Sequence, residues 1–295
     1  MLGQGRKSQF PAGLRMSILK IESPGVIGWS RNWLSFTLML LLSTTASGQD
    51  FAYRAERDFS GRIYHYRRSN IDGTLPELVS VYLNPQGTIE VFKRRSACTQ
   101  SALVIAAFNL ETLTFDKITS GNLGREGEQQ EFASLVHDTE SNTVTLSVDL
   151  PDQSIRLSTE INNPHYELYD FDFASLTAST PHLVDPVKGF DSELLLVWAD
   201  PGAPSFSSLG NFEFEYLERQ RYLNHDTLRF TVTGPGGDDA QAALWLDAIE
   251  GYIVEARLSL PNHAGYENFR LQLLGTEQGE DTWRNLLLSQ FAACP

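Results

Sequence analysis

Apolar and polar residues alternate with a period of two along most of this chain, and that pattern limits it to a fold built on sheet. Val144, Leu146, Val148 and Leu150 alternate with Thr145, Ser147 and Asp149. Phe212, Phe214 and Tyr216 alternate with Glu213 and Glu215, and Leu228, Phe230 and Val232 with Arg229 and Thr231. Phe269, Leu271 and Leu273 alternate with Arg270 and Gln272. Successive side chains of a strand point to opposite faces, so each run has one apolar and one wet face. Strands wet on one side belong to antiparallel sheet, because parallel sheet is covered on both. The same reading predicts strands over 61–68, 76–83, 87–94, 101–109, 129–138, 154–160, 165–173, 193–199, 241–247 and 252–260.

Turn residues fall between these runs. Asn84-Pro85-Gln86-Gly87 predicts a tight turn, and Asp247 to Gly251 joins two alternating runs into a hairpin over 241–260. Gly234 to Asp239 reads as a turn or loop; it has no following helix and no lysine, so it is not a phosphate cradle. Helix signals are few. Residues 174–180 suggest a short helical turn. Asp281 is placed to cap a C-terminal helix with Trp283, Leu286, Leu287 and Phe291 on one face, which would lie on the concave side of the sheet. The alternation keeps the same density on both sides of the Pro/Gly-rich stretches at 181–190 and 200–206, so residues 49–295 read as one domain. The expected fold is mainly β (β-rich α+β): a curved, unclosed antiparallel sheet with a C-terminal helix packed on it.

Residues 1–48 differ in character. They carry Arg6, Lys7, Arg15, Lys20 and Arg31 against one acid, Glu22, then an apolar run from Trp33 to Leu42, then Ala46-Ser47-Gly48. This is the plan of a secretory signal peptide, with a cut predicted after Gly48 and no lipid-anchoring cysteine there. The run is about ten residues, short of the roughly 20 that span a membrane, and no later segment is apolar enough to cross one. The protein is therefore expected to be exported, to the periplasm or beyond. The whole chain has formal charge −14; without the leader, 18 bases face 36 acids, which is −18. That excess repels phosphate backbones and argues against a nucleic-acid partner. In an oxidising compartment the two cysteines, Cys98 and Cys294, are expected to pair.

No two of the six histidines have zinc-ligand spacing, and there is no HExxH or GxSxG, so no metal or cofactor is expected. Three groups of residues carry possible chemistry. Asp170 and Asp172 sit at i and i+2 in Tyr169-Asp170-Phe171-Asp172-Phe173; carboxylates spaced along one strand face suit acid/base work, and equally suit a wet face opposite three aromatics. The polar connection 261–269 holds Asn262, His263, Tyr266 and Asn268, which can converge on a ligand or satisfy a turn. An aromatic set that includes Tyr216, Trp245, Tyr252 and Phe269 can line a concavity or form the core. With His263 and Tyr266, these four are the candidate ligand-binding residues.

The stretch Leu244-Trp245-Leu246-Asp247-Ala248-Ile249-Glu250-Gly251-Tyr252-Ile253-Val254-Glu255-Ala256-Arg257 resembles a hairpin of the lipoprotein-carrier superfamily (LolA- and LppX-like proteins and their periplasmic relatives), which reads aromatic-x-Asp-x-x-x-Gly-x-hydrophobic-x-x-Ala/Arg. The resemblance implies a curved, unclosed antiparallel sheet with helices on its concave side, and lipid or acyl-chain carriage in several members. This chain departs from that pattern in its smaller helical content and its lack of a lipobox. The expected function is a non-catalytic exported binder of a hydrophobic or lipid-like ligand. Its rivals are an envelope interaction protein without a ligand, meeting an envelope protein partner, and a carboxylate hydrolase using Asp170 and Asp172.

Overall fold

The computed structural model describes residues 50–150, 153–198 and 204–294; the leader and its cleavage site lie outside them. The first eight strands are β1 (Arg62–Ser69), β2 (Glu77–Asn84), β3 (Thr88–Arg94), β4 (Ala102–Asn109), β5 (Thr114–Leu123), β6 (Gln129–Asp138), β7 (Thr143–Leu150) and β8 (Gln153–Glu160). The other seven are β9 (Tyr166–Leu168), β10 (Phe190–Trp198), β11 (Ser205–Tyr222), β12 (His225–Gly234), β13 (Gly237–Asp247), β14 (Ile253–Leu258) and β15 (Phe269–Gln278). Two α-helices accompany them, α1 (Ala174–Ser179) and α2 (Glu280–Ser289).

All fifteen strands join one sheet. From β1 at its middle, β2 to β8 step outwards on one side; on the other, β15 is followed by β14 down to β9. The sheet curls until β8 comes up to β11, without pairing with it. Every neighbouring pair is antiparallel except β9 and β10, which run parallel. The sheet is thus mixed, where a wholly antiparallel one was expected. The exception follows from connectivity: β9 and β10 are joined by a crossover containing α1, and a crossover allows a parallel pair.

Alternation divides the side chains between two cores. The concave core takes Tyr64, Tyr66, Val79, Val81, Val91 and Val104 from the first strands and Phe212, Phe214, Phe230 and Leu244 from the later ones. Segment 161–183, which runs through β9, a 3-10 turn at Tyr169–Phe171 and α1, fills the space between. Every residue of α1 is buried. The second core lies on the opposite, convex face: Ile63, Tyr82, Phe92, Leu103 and Leu123, covered by Trp283 and Leu287 of α2. The C-terminal helix therefore packs on the convex side, not the concave side, because the concave side is already occupied by 161–183. Gly279, not Asp281, is its N-cap.

Several local expectations have clear physical counterparts. Gly87 takes φ +84° in the turn after Asn84, and its N–H donates to the Asn84 carbonyl at 3.0 Å. In the 247–251 turn, Asp247 Oδ1 accepts from the N–H groups of Ile249 and Glu250, both at 2.9 Å. Gly251 has φ +86°, and a Cβ there would stand 2.8 Å from the Pro181 Cα, so the hairpin docks on segment 161–183 only with glycine. Cys98 and Cys294 are bonded across a sequence separation of 196. The bond fixes the end of α2 to the β3–β4 connection, where Gln290 Nε2 also donates to the carbonyls of Ser96 (3.0 Å) and Thr99 (2.9 Å). A loop of that length implies stabilisation of about 5 kcal/mol on chain-entropy grounds.

Candidate functional site

The candidate residues divide among several places. Phe269 is fully buried between Tyr169 and Phe173, at ring distances of 5.2 and 5.4 Å. Tyr252 packs on Tyr64, and Tyr216 sits half-buried with its ring edge-on to Phe230. Trp245 is on the convex face, stacked on Tyr222 at 4.6 Å and flanked by the guanidinium groups of Arg229 and Arg257. These four aromatics do not line one cleft. Phe269 and Tyr252 are buried in the interior, Tyr216 is half-buried against it, and Trp245 is buried between Tyr222 and the two arginines.

His263 and Tyr266 do meet the other sequence candidates. Residues 165–173, expected as one strand, form only three residues of strand before the 3-10 turn. Asp172 and Phe173 then both take φ +55°, two adjacent left-handed residues that swing the chain into α1. Such residues are costly and need neighbours that hold them. Here the holding groups are polar. Lys93 Nζ lies 2.7 Å from Asp172 Oδ2 and donates to the Asp170 carbonyl at 2.6 Å. Asn262 Nδ2 donates to Asp172 Oδ1 at 2.7 Å and to the Tyr169 carbonyl at 3.1 Å. His263 Nε2 is 3.7 Å from the same Oδ1, and Arg68 is 3.6 Å from it. Arg68 also pairs with Glu77 at 2.6 Å and stands over the Tyr266 ring at 4.3 Å, while the Tyr266 hydroxyl donates to the Leu75 carbonyl. The Asp170 carboxyl accepts from the Val197 N–H; burial lifts it to about 7, against the opposing pull of Lys93. The two aspartates share Lys93 but accept different hydrogen bonds, and their arrangement ties segment 161–183 to β1, β3 and the 261–269 connection.

Two further interior groups were not singled out from the sequence. Glu167 on β9 is fully buried and accepts a hydrogen bond from the Ser175 hydroxyl of α1; burial raises its carboxyl to about 8. His165 stacks on Phe51 at 3.7 Å, hydrogen-bonds Ser192 through Nδ1, and is pushed down to about 3 by burial. His165 Nε2 and Glu167 Oε1 are 3.9 Å apart, too far to bond, and neither has a hydrogen-bond partner. The available signal was an acid inside the aromatic run Tyr166-Glu167-Leu168-Tyr169, where a wet strand face has no reason to place one beside three buried neighbours.

Among the described residues, a cleft and a smaller apolar pocket open beside this interior. A cleft of about 720 Å³ lies between the β4–β5 turn and β10–β11, lined by Asp50, Glu111, Asn163, Asp191, Glu193 and Asn211 among others. A smaller, more apolar pocket of about 80 Å³ is lined by Phe59, Leu83, Ile89, Phe108, Leu110 and Pro181 and reaches Ala178 of α1. Neither Asp170 nor Asp172 lines either opening. Among the described residues, no group of three or more His, Cys, Asp or Glu side chains is arranged to hold a metal ion, and no helix is long and apolar enough to cross a membrane.

No protein-family model matches this chain, and no curated protein matches it. Among solved structures, it is similar to a domain described as an outer membrane lipoprotein-sorting protein domain, from Vibrio parahaemolyticus. The two share 10% identity at a TM-score of 0.22, over 79% of this chain and 94% of that one. That is a weak resemblance, to the same group of proteins that the 244–257 hairpin resembles.

Proposed function

We propose that this is an exported, non-catalytic binding protein whose leader is removed after Gly48 and whose ligand is hydrophobic or lipid-like. The ligand occupies the concave face of the curled sheet, and segment 161–183 covers that face in its absence. The observation that carries this reading is the apolar pocket at Phe59, Leu83, Phe108, Leu110 and Pro181, which leads from the rim to Ala178 of the covering segment. The cover itself has the features of a replaceable occupant. Its one α-helix has six residues, its strand β9 is three residues long at the sheet edge, and it buries Glu167 and Asp170, whose raised pKa values record a desolvation cost to docking. Apolar contact on the concave face yields about 25 cal/mol per Å² before ordering costs, so an acyl chain of ordinary length can compete for it.

The test is titration with a dansylated fatty acid, followed by amide hydrogen exchange. Saturable binding with faster exchange in 161–183 is expected, together with acyl ligands in native mass spectra of protein isolated from its own envelope. Binding that leaves exchange in 161–183 unchanged, or no binding at all, overturns the reading.

A further inference from the structure

The convex face carries a band of arginine in a protein that is otherwise strongly acidic. Strand alternation places its members. Arg67 is four residues from Ile63 on β1, Leu78 four from Tyr82 on β2, and Arg94 two from Phe92 on β3, so all three share the face on which α2 packs. Arg67 stands opposite Leu78, and Leu78 opposite Arg94. In the other direction Arg67 stands opposite Gln272, Gln272 opposite Glu255, Glu255 opposite Trp245 and Trp245 opposite Arg229. One row of side chains thus crosses seven strands, β12 to β3 through the β15–β1 seam, a width of about 29 Å at the usual strand spacing. Arg257 and Arg270 stand opposite each other in the next row.

The band holds Arg67, Arg94, Arg229, Arg257 and Arg270 against Glu255 within it and Glu218 at its end. Five bases meet two acids here, whereas residues 49–295 as a whole carry 18 bases and 36 acids. Like charges directly opposite one another on a sheet repel, and Glu255 offsets the Arg257–Arg270 pair: it is fully buried and meets them at 2.5 and 3.0 Å. Its single charge is shared between two guanidinium groups. Arg67 is exposed, and among the described residues no carboxylate lies within ion-pair distance of it or of Arg94. Arg94 touches only neutral groups, the Phe92 ring at 5.4 Å and the Gln290 side-chain oxygen at 3.5 Å. Leu78, between these two arginines, is 37% exposed, and Leu274, two residues along β15 from Gln272, is 46% exposed.

We propose that this arginine band is a docking surface for an anionic membrane, with Arg67 and Arg94 meeting lipid phosphates and Leu78 and Leu274 entering the headgroup boundary. The planar guanidinium fork matches phosphate oxygens, and basic side chains near an anionic leaflet add their attractions. An acidic protein partner would also meet the arginines, but the exposed leucines among them suit an interface that is charged outside and apolar beneath. The acidic remainder of the protein is repelled by the same membrane, which turns the band towards it. Screening over about 8 Å at physiological ionic strength keeps that repulsion from reaching the contacting side chains.

The test is co-sedimentation with vesicles of phosphatidylcholine alone, and of phosphatidylcholine and phosphatidylglycerol in equal parts. Binding to the anionic vesicles only is expected, weakening as salt is raised. Arg67→Gln and Arg94→Gln break no ion pair, and each should weaken binding about fivefold. Lys188→Gln removes an exposed charge outside the band and should leave binding unchanged. Circular dichroism of each variant checks that the fold is retained. Equal sedimentation with both kinds of vesicle, none with the anionic kind, an equal effect of Lys188→Gln, or tighter binding to immobilised poly-glutamate than to vesicles would overturn the proposal. The fatty-acid titration reads the concave face and this experiment the convex one, so the two readings succeed or fail separately.

Discussion

Replacing Glu167 by glutamine is expected to stabilise the protein, and to do so more as pH rises. The carboxyl titrates near 4.5 when solvated and at about 8 in the fold, because burial disfavours its charge. Between those values the unfolded chain releases a proton that the folded chain retains. Stability therefore falls as pH rises through this window, by about 1.4 kcal/mol per pH unit. The loss from this group is about 3 kcal/mol by pH 7 and about 4 kcal/mol by pH 8. Glutamine stays neutral throughout. Its Oε1 can accept the Ser175 hydroxyl, and its amide can point towards the unpartnered Nε2 of His165. His165 acts in the opposite direction: lowered from 6.5 to about 3, it leaves stability intact above 6.5 and removes it as pH falls towards 3. Taking the difference between Glu167→Gln and the unaltered protein cancels that effect, and cancels Asp170 as well. The assay is urea unfolding followed by circular dichroism at pH 5, 6, 7 and 8. The gain from the substitution should be under about 1 kcal/mol at pH 5 and several kcal/mol at pH 8. A gain of the same size at both ends, or no gain, would show that Glu167 is not held neutral by burial and would refute the reasoning.

Two other outcomes test the packing. Lys93→Met should cost about 3–5 kcal/mol, because it leaves Asp172 buried without its nearest cation, and adding Asp172→Asn should recover much of that; thermal unfolding of the single and double variants checks both steps. Trp283→Ala should cost about 3–5 kcal/mol and speed hydrogen exchange in α2, since Trp283 stacks on Tyr82 at 5.3 Å and donates to Glu90 at 2.6 Å, whereas Trp283→Phe should retain most of the stacking.

Much of this architecture is visible in the residues because a strand's burial pattern is local. The runs in β7, β11, β12 and β15 show it, as do the Asn84–Gly87 turn and the apolar face of α2. Failures occur where the local period is broken or misleading. β5 was not expected: its buried residues Phe115, Ile118 and Leu123 are three and five apart, and a bulge between Ser120 and Gly121 shifts the phase. Tyr169, Phe171 and Phe173 alternate as a strand would, yet all three are buried in a turn, because the concave core surrounds them on every side. The meeting of Asp172 with Asn262 and His263 spans about 90 residues, and nothing local in either stretch announces it. Which face α2 covers was equally hidden, since its apolar stripe fits either one and the choice was made by what already occupied the interior.

The position of β1 beside β15 has a consequence for how the chain reaches its fold. On either side of that seam every antiparallel neighbour is also a neighbour in sequence, so both halves can form hairpin by hairpin at little entropic cost. The seam alone joins distant ends, with Arg62 opposite Gln278. Closing a loop of about 200 residues costs about 2–3 kcal/mol more than closing a hairpin. The Cys98–Cys294 bond bridges the same two ends, and through it the path from Arg62 to Gln278 shortens to about 50 residues. That lowers the closure cost by about 1 kcal/mol, or roughly eightfold in encounter probability. An oxidised chain should therefore zip its central seam faster than a reduced one. The bond between the cysteines would thus act as a folding guide as well as a clamp.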